Sequence, residues 1–201
     1  MNLIEYALYA ERICFGERVK GGVYKPSSTT IPYTTISGAL SDALGIAARA
    51  VGTIDSISTV SHLTIAPRDR SLHTARLPLK VMYLEGVAGK IRILNENFIS
   101  EQLDDSFQLF MGAMRMKGLG KCLLSKKTEI EITESDYVEG SLITRIPVSV
   151  ANTFVMTVKD ARYGYLFVRE NDETGKYVLS YYEGSLVRAP YFLVEGGKKR
   201  G

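Results

Sequence analysis

Residues 110–122 read FMGAMRMKGLGKC, and how this stretch is read decides the fold. Leading into it, Leu103, Phe107, Phe110, Met111 and Met114 recur at helical spacing, which predicts a second helix over about 100–115. Ser100 suits its cap, and Glu101, Asp104 and Asp105 place negative charge in the early turns, where the helix dipole favours it. A strand is expected from Cys122. Between the two lie Lys117, Gly118, Leu119, Gly120 and Lys121. Glycines there let backbone approach a partner and expose N–H groups, while Arg115, Lys117 and Lys121 add positive charge. Exposed amides beside cations suit a phosphate. The same glycines also suit a plain helix C-cap. No GxxxxGK[ST] occurs, so this is not a nucleotide-binding P-loop.

Working outward, residues 2–15 alternate with Leu3, Tyr6, Leu8, Ile13 and Phe15 apolar, which predicts a long first strand. A loop over 16–32 carries Arg18, Lys20 and Lys25. A helix follows Pro32, capped by Thr34 or Thr35, with Ile36, Leu40, Ala43, Leu44 and Ala47 on one face and Gly52 as its stop. Gly38 falls in its first turns, where a small residue admits close approach of the sheet, another chain or RNA. Residues 54–66 read as β-rich, and 67–78 as a loop or hairpin arm bearing Arg68, Arg70 and Arg76. Strands at 79–84 and 90–94 are separated by an expected turn at 85–89. Beyond residue 128 the pattern is β, with strands at 142–150, 153–159, 162–169 and 176–182. Residues 171–176 (NDETGK) read as a hairpin turn with Gly175 supplying a positive φ, and the tail GGKKRG as a solvated end.

This order predicts an α+β fold. A ferredoxin-like (RRM-like) βαββαβ core spans 1–130, with a hairpin arm at 65–80, and a β-rich extension spans 131–201. The 201 residues are 45% hydrophobic and 23% charged, enough apolar material for a packed core. The net charge of +3 permits a nucleic-acid partner without demanding one. Cys14 and Cys122 stand far apart, with no neighbouring thiol to form a zinc pair. Glu5, Glu11 and Arg12 interrupt the N-terminus as a signal peptide, and no apolar run approaches the ~18 residues of a membrane span. The reading is a reduced, cytoplasmic protein with no membrane segment, metal site or cofactor.

Residues 31–40, IPYTTISGAL, resemble the opening of the first helix in the RAMP superfamily of CRISPR-associated proteins. Residues 112–120, GAMRMKGLG, resemble the glycine-rich loop that in this family joins the second helix to the fourth strand, and Phe15-Gly16 resembles a pair found after its first strand. The resemblance implies a subunit that binds CRISPR guide RNA beside other CRISPR-associated subunits. Among the family's roles, the chain's size is most similar to the Cas-five type, which caps the 5′ handle of the guide. On that reading Gly118, Leu119 and Gly120 present backbone to phosphate, and Arg115, Lys117 and Lys121 neutralise it. Arg18, Lys20 and Lys25 reach nearby, and Arg68, Arg70 and Arg76 on the arm grip RNA or a neighbour.

Alternatives stand beside this one. A Cas-seven type backbone subunit that cuts target RNA carries an aspartate after the first strand, and residues 16–33 contain none. A metal-independent endoribonuclease that processes guide precursors needs an acid or base, for which His73 and His62 are the candidates. No catalytic residue is assigned on the main reading. Twelve tyrosines and seven phenylalanines supply aromatic surface, but those in the C-terminal strands are assigned to packing. A small-molecule-binding α+β domain, with both motifs fortuitous, is the third class.

Overall fold

The computed structural model describes residues 1–66, 68–69, 71, 74–75, 77–96, 99–170 and 174–198. The chain opens with β1 (Asn2–Ile13), followed by the short strands β2 (Phe15–Gly16), β3 (Tyr24–Lys25) and β4 (Ser27–Ser28). In β1, Ile4, Tyr6, Leu8 and Ala10 are buried in one cluster with Ile36 and Leu40 of the helix α1 (Tyr33–Leu44). Burying each of those two helical side chains contributes about 2 kcal/mol, which fixes α1 on this face of the sheet. Pro32 precedes the helix without a side-chain cap, and Gly45 in the left-handed conformation ends it. Gly52 is therefore not the stop but a residue of the next strand, and Ala43 and Ala47 are exposed.

That strand is β5 (Ala50–Ile65), which leads through β6 (Arg68–Asp69) and β7 (Thr74–Ala75) into β8 (Leu79–Leu94). β5 and β8 pair from Ala50–Ile93 to Ile65–Leu79, whereas β1 pairs with β8 only as far as Leu84. The outer part of this hairpin thus extends past the end of β1, and β3 lies parallel to it at Lys80 and Val81. Residues 85–89 do not turn but continue β8. A register shift between Ile54 and Ser56 and the contact with the Thr53 carbonyl account for Gly89, since a Cβ would sit 2.2 Å from that oxygen; Gly86, at φ +57°, would place its Cβ 2.3 Å from the Ser58 hydroxyl.

The expected second helix is corrected. Only α2 (Ile99–Gln102) is helical, and Ser106–Phe110 forms strand β9. β9 adds to the outer edge of β10 (Lys121–Glu131), pairing Phe110 with Lys121 and Ser106 with Ser125. The sheet order β5-β8-β1-β10 is antiparallel throughout and is the ferredoxin-like order, with β9 as an additional edge.

The remaining strands are β11 (Tyr137–Ser141), β12 (Ile146–Pro147), β13 (Thr157–Asp160), β14 (Tyr163–Arg169), β15 (Gly175–Tyr181) and β16 (Leu186–Pro190). They form two three-stranded sheets, β11-β16-β13 and β12-β15-β14. Residues Val148–Phe154 are a 3-10 helix rather than strand. Gly175 begins β15 without a positive φ; it is glycine because a Cβ would sit 2.3 Å from the Phe167 ring. A second hydrophobic cluster joins Phe154, Val187 and Leu193 to Leu3, Tyr33, Val51 and Leu94 from the first sheet and helix. On the same side, the buried Arg92 bonds Glu5 at 2.8 Å and lies 4.5 Å over the Phe192 ring. Among the described residues no helix is long and apolar enough to cross a membrane.

Candidate nucleic-acid interface

Three stretches distant in sequence meet at one groove of about 1070 Å³. They are Phe15-Gly16 after β1, Thr34, Thr35 and Gly38 on α1, and Met111, Gly112 and Ala113 at the start of the β9–β10 loop. Contact between the first and third is close: a Cβ on Gly16 would lie 2.7 Å from the Ala113 side chain. The opposite wall is the β14–β15 hairpin, which contributes Tyr165, Phe167 and Tyr177.

The β9–β10 loop is closed by its own backbone. Met111 N–H donates to the Gly120 carbonyl at 2.9 Å, and Ala113 N–H to the Cys14 carbonyl at 2.7 Å. Gly120 sits at φ +88°, and a Cβ there would lie 2.2 Å from the Met111 carbonyl oxygen. No side chain fits that position. Backbone bonds also take up two of the three amides expected to cradle a phosphate. Gly118 N–H already donates to the Arg115 carbonyl at 3.1 Å and Gly120 N–H to the Arg12 carbonyl at 2.8 Å. The Leu119 side chain is buried beside Cys14 and Val81. Side chains are what the loop offers outward: Arg115, Lys117 and Lys121 are exposed, and Met116 at the apex is 99% exposed.

The groove is lined by Arg18, Lys25, Arg115, Arg145 and Arg169 against Glu17 and Asp42. Arg145 holds two regions together. Its Nε donates to both Glu183 oxygens at 2.8 and 2.9 Å, and its Nη2 to Glu17 at 2.8 Å. Its guanidinium also lies 4.6 Å over the Tyr182 ring. Burial alone would lower the Arg145 pKa, but the bonds to Glu183 and Glu17 outweigh it and hold the pKa above its ordinary value. The Arg145 charge is thereby committed within the protein. Lys25 Nζ donates to the Glu17 carbonyl at 3.2 Å. Arg18 and Arg115 have no acidic partner among the described residues.

The structure thus brings Arg18, Lys25 and Arg115 to one groove, with Lys117 and Lys121 on the adjoining loop. Lys20 is exposed in the turn that its own N–H closes onto the Tyr24 carbonyl at 2.7 Å. Arg68 belongs to the β6–β7 ladder beyond the last β5–β8 pair, while Arg70, Arg76 and His73 lie outside the described residues. His62 is exposed on β5, its ring 6.3 Å from that of Tyr24. Burial raises the thiol pKa of both cysteines, that of Cys122 to about 12, so neither is a ready nucleophile. Among the described residues no group of three or more His, Cys, Asp or Glu is placed to hold a metal ion.

No family model and no curated protein matches the sequence. The structure does match a chain in the cryo-EM structure of the type III-B Cmr-beta complex bound to cognate target RNA and AMPPnP. The TM-score is 0.59, over 94% of this chain and 86% of that one. The two chains share a fold. Their identity is 11%, so the likeness to the Cmr-beta chain is one of architecture.

The sequence reading missed the far wall of the groove. Tyr163, Tyr165 and Phe167 alternate along one face of β14, a signal visible in the sequence but assigned there to packing. The structure leaves Tyr165 and Tyr177 each 64% exposed. Arg145 and Arg169 had no local signal, because their place in the groove depends on the folding of the extension onto the first sheet.

Proposed function

We propose that this chain is an RNA-binding subunit of a multisubunit CRISPR ribonucleoprotein, holding guide RNA at its 5′ handle. The observation that carries the reading is the convergence of all three RAMP-like stretches on one basic groove. Cations without acidic partners among the described residues at Arg18 and Arg115, together with exposed Lys117 and Lys121, suit a polyanion that runs its backbone along the loop. Gly118, Leu119 and Gly120 serve that contact by setting the loop's shape, and the exposed Lys20 extends the basic surface. The similar fold in a Cmr-beta complex that holds RNA supports the same reading.

The test is the salt dependence of binding to a guide RNA that carries its 5′ handle. Replacing Lys117 and Lys121 by Ala should weaken binding to all single-stranded sequences. It should also reduce the slope of log K against log salt by about 0.7 for each phosphate no longer neutralised. An unchanged affinity and slope would remove the loop from the interface. The capping role has its own control: RNA lacking the handle should bind more weakly, and equal binding would reduce the reading to general RNA binding.

A further inference from the structure

We propose that the β14–β15 hairpin is a stacking platform for unpaired RNA bases, which deepens the RNA-binding reading and rests on it. A strand pair within a sheet normally buries one face, and here β14 and β15 bury the face carrying Leu166 and Ser180. The other face is left to solvent and is aromatic. Tyr163, Tyr165 and Phe167 follow one another at every second position of β14, with 61%, 64% and 53% exposure, and Tyr177 stands opposite Phe167 on β15. Water-exposed aromatic area of this size is not needed by any core and marks a surface that meets something.

Rigidity is built in beneath it. Phe167 lies over Gly175 and meets Tyr177 edge-on with ring centroids 5.6 Å apart. Tyr163 and Tyr181 stand 5.5 Å apart. The Tyr182 hydroxyl donates to the Tyr165 carbonyl at 2.9 Å, and Arg145 holds the Tyr182 ring in turn. Successive same-face residues on a strand are about 7 Å apart. That spacing separates the Tyr165 and Phe167 rings, so bases splayed from an extended backbone find separate partners.

Charge decides what kind of partner. The aromatic rings share one groove with Arg18 and Arg115, which have no acidic partner among the described residues. An aromatic wall facing unneutralised cations is the arrangement that single-stranded nucleic acid uses, its phosphates on the cations and its bases on the rings. Duplex RNA hides its base faces and gains nothing from such a wall.

The experiment uses the full chain and a single-stranded RNA substituted with 5-iodouridine. Irradiation of the wild-type complex should crosslink to peptides that contain Tyr165, Phe167 or Tyr177. Tyr165→Ala and Tyr177→Ala should each lower affinity for single strands by about five- to a hundred-fold, leave the salt slope unchanged, and leave affinity for a duplex unchanged. Their thermal melting should stay within a few degrees of wild type, because both side chains are largely exposed and only the Phe167–Tyr177 edge contact is lost. Wild-type binding of single strands with no crosslink to the hairpin, or with full affinity in both variants, would overturn the platform and leave the RNA-binding reading standing. A wild-type chain that binds no single-stranded RNA at low salt would overturn both.

Discussion

The two walls of the groove are both β-hairpin connections, yet they present opposite chemistry. The β9–β10 loop uses glycine to fold tightly: its Gly118 and Gly120 amides turn inward, Leu119 is buried, and only charged side chains and Met116 reach outward. The β14–β15 hairpin keeps regular strand geometry and displays rings. One wall therefore offers point charge, which is long-range and sensitive to salt, and the other offers π surface, which is short-range and insensitive to it. A glycine-rich loop is not by itself an amide cradle, because the conformation that exposes its glycines can also satisfy their N–H groups at home.

The strongest way to break this contrast is Gly120→Ala. A methyl group there collides with the Met111 carbonyl at a positive φ, so stability to urea should fall by about 3 kcal/mol or more. Gly118→Ala meets open space and carries only the cost of its φ of +80°, about 1 kcal/mol. Equal effects would show that the loop is not closed as described.

Next in size is the link between the walls. Arg145→Met leaves Glu17 and Glu183 partly buried without their partner, which should cost about 2 to 3 kcal/mol in urea denaturation. Adding Glu183→Gln should recover part of that loss, whereas additive losses would deny the coupling.

A pH-dependent effect is smaller. Burial pushes the Cys122 thiol up to about 12 in the folded protein, against its ordinary 9.0. The folded state therefore holds its proton where the unfolded state has lost it. Stability from this group is complete below pH ~9 and declines as pH rises towards 12, by about 1.4 kcal/mol at pH ~10. Cys122→Ala should flatten that part of the stability profile, and an unaltered profile would refute the burial argument. The smallest effect is a gain: Gly38→Ala on α1 meets nothing within 4 Å and should stabilise by up to about 1 kcal/mol. A loss would mean that the groove side of α1 is tighter than its geometry shows.

Much of the ferredoxin-like core was legible because its signals are local. Alternation in β1 and the helical spacing of Ile36 and Leu40 each report burial within a few residues. The second helix was misread because Leu103, Phe107 and Phe110 fit a helical stripe as well as they fit an edge. What decided it was pairing with β10, across the loop, where Leu109 is buried and Phe110 is half exposed. The turn expected at 85–89 failed for a similar reason, since Gly89 answers a bulge in the partner strand and Gly86 makes room for the Ser58 side chain across the pair. In the site, the cations near the glycine loop were readable as composition. The aromatic alternation of β14 was visible too, but its place in the groove and that of Arg145 were not, because the groove is closed by residues more than a hundred positions from Phe15.

The most direct test of the account is to recover the tagged protein from its native host and sequence the RNA that accompanies it. The account predicts guide RNAs that share one 5′ end, together with other subunits of the complex. Recovery under low-salt conditions with no enriched RNA would contradict it and leave the shared fold without the shared function.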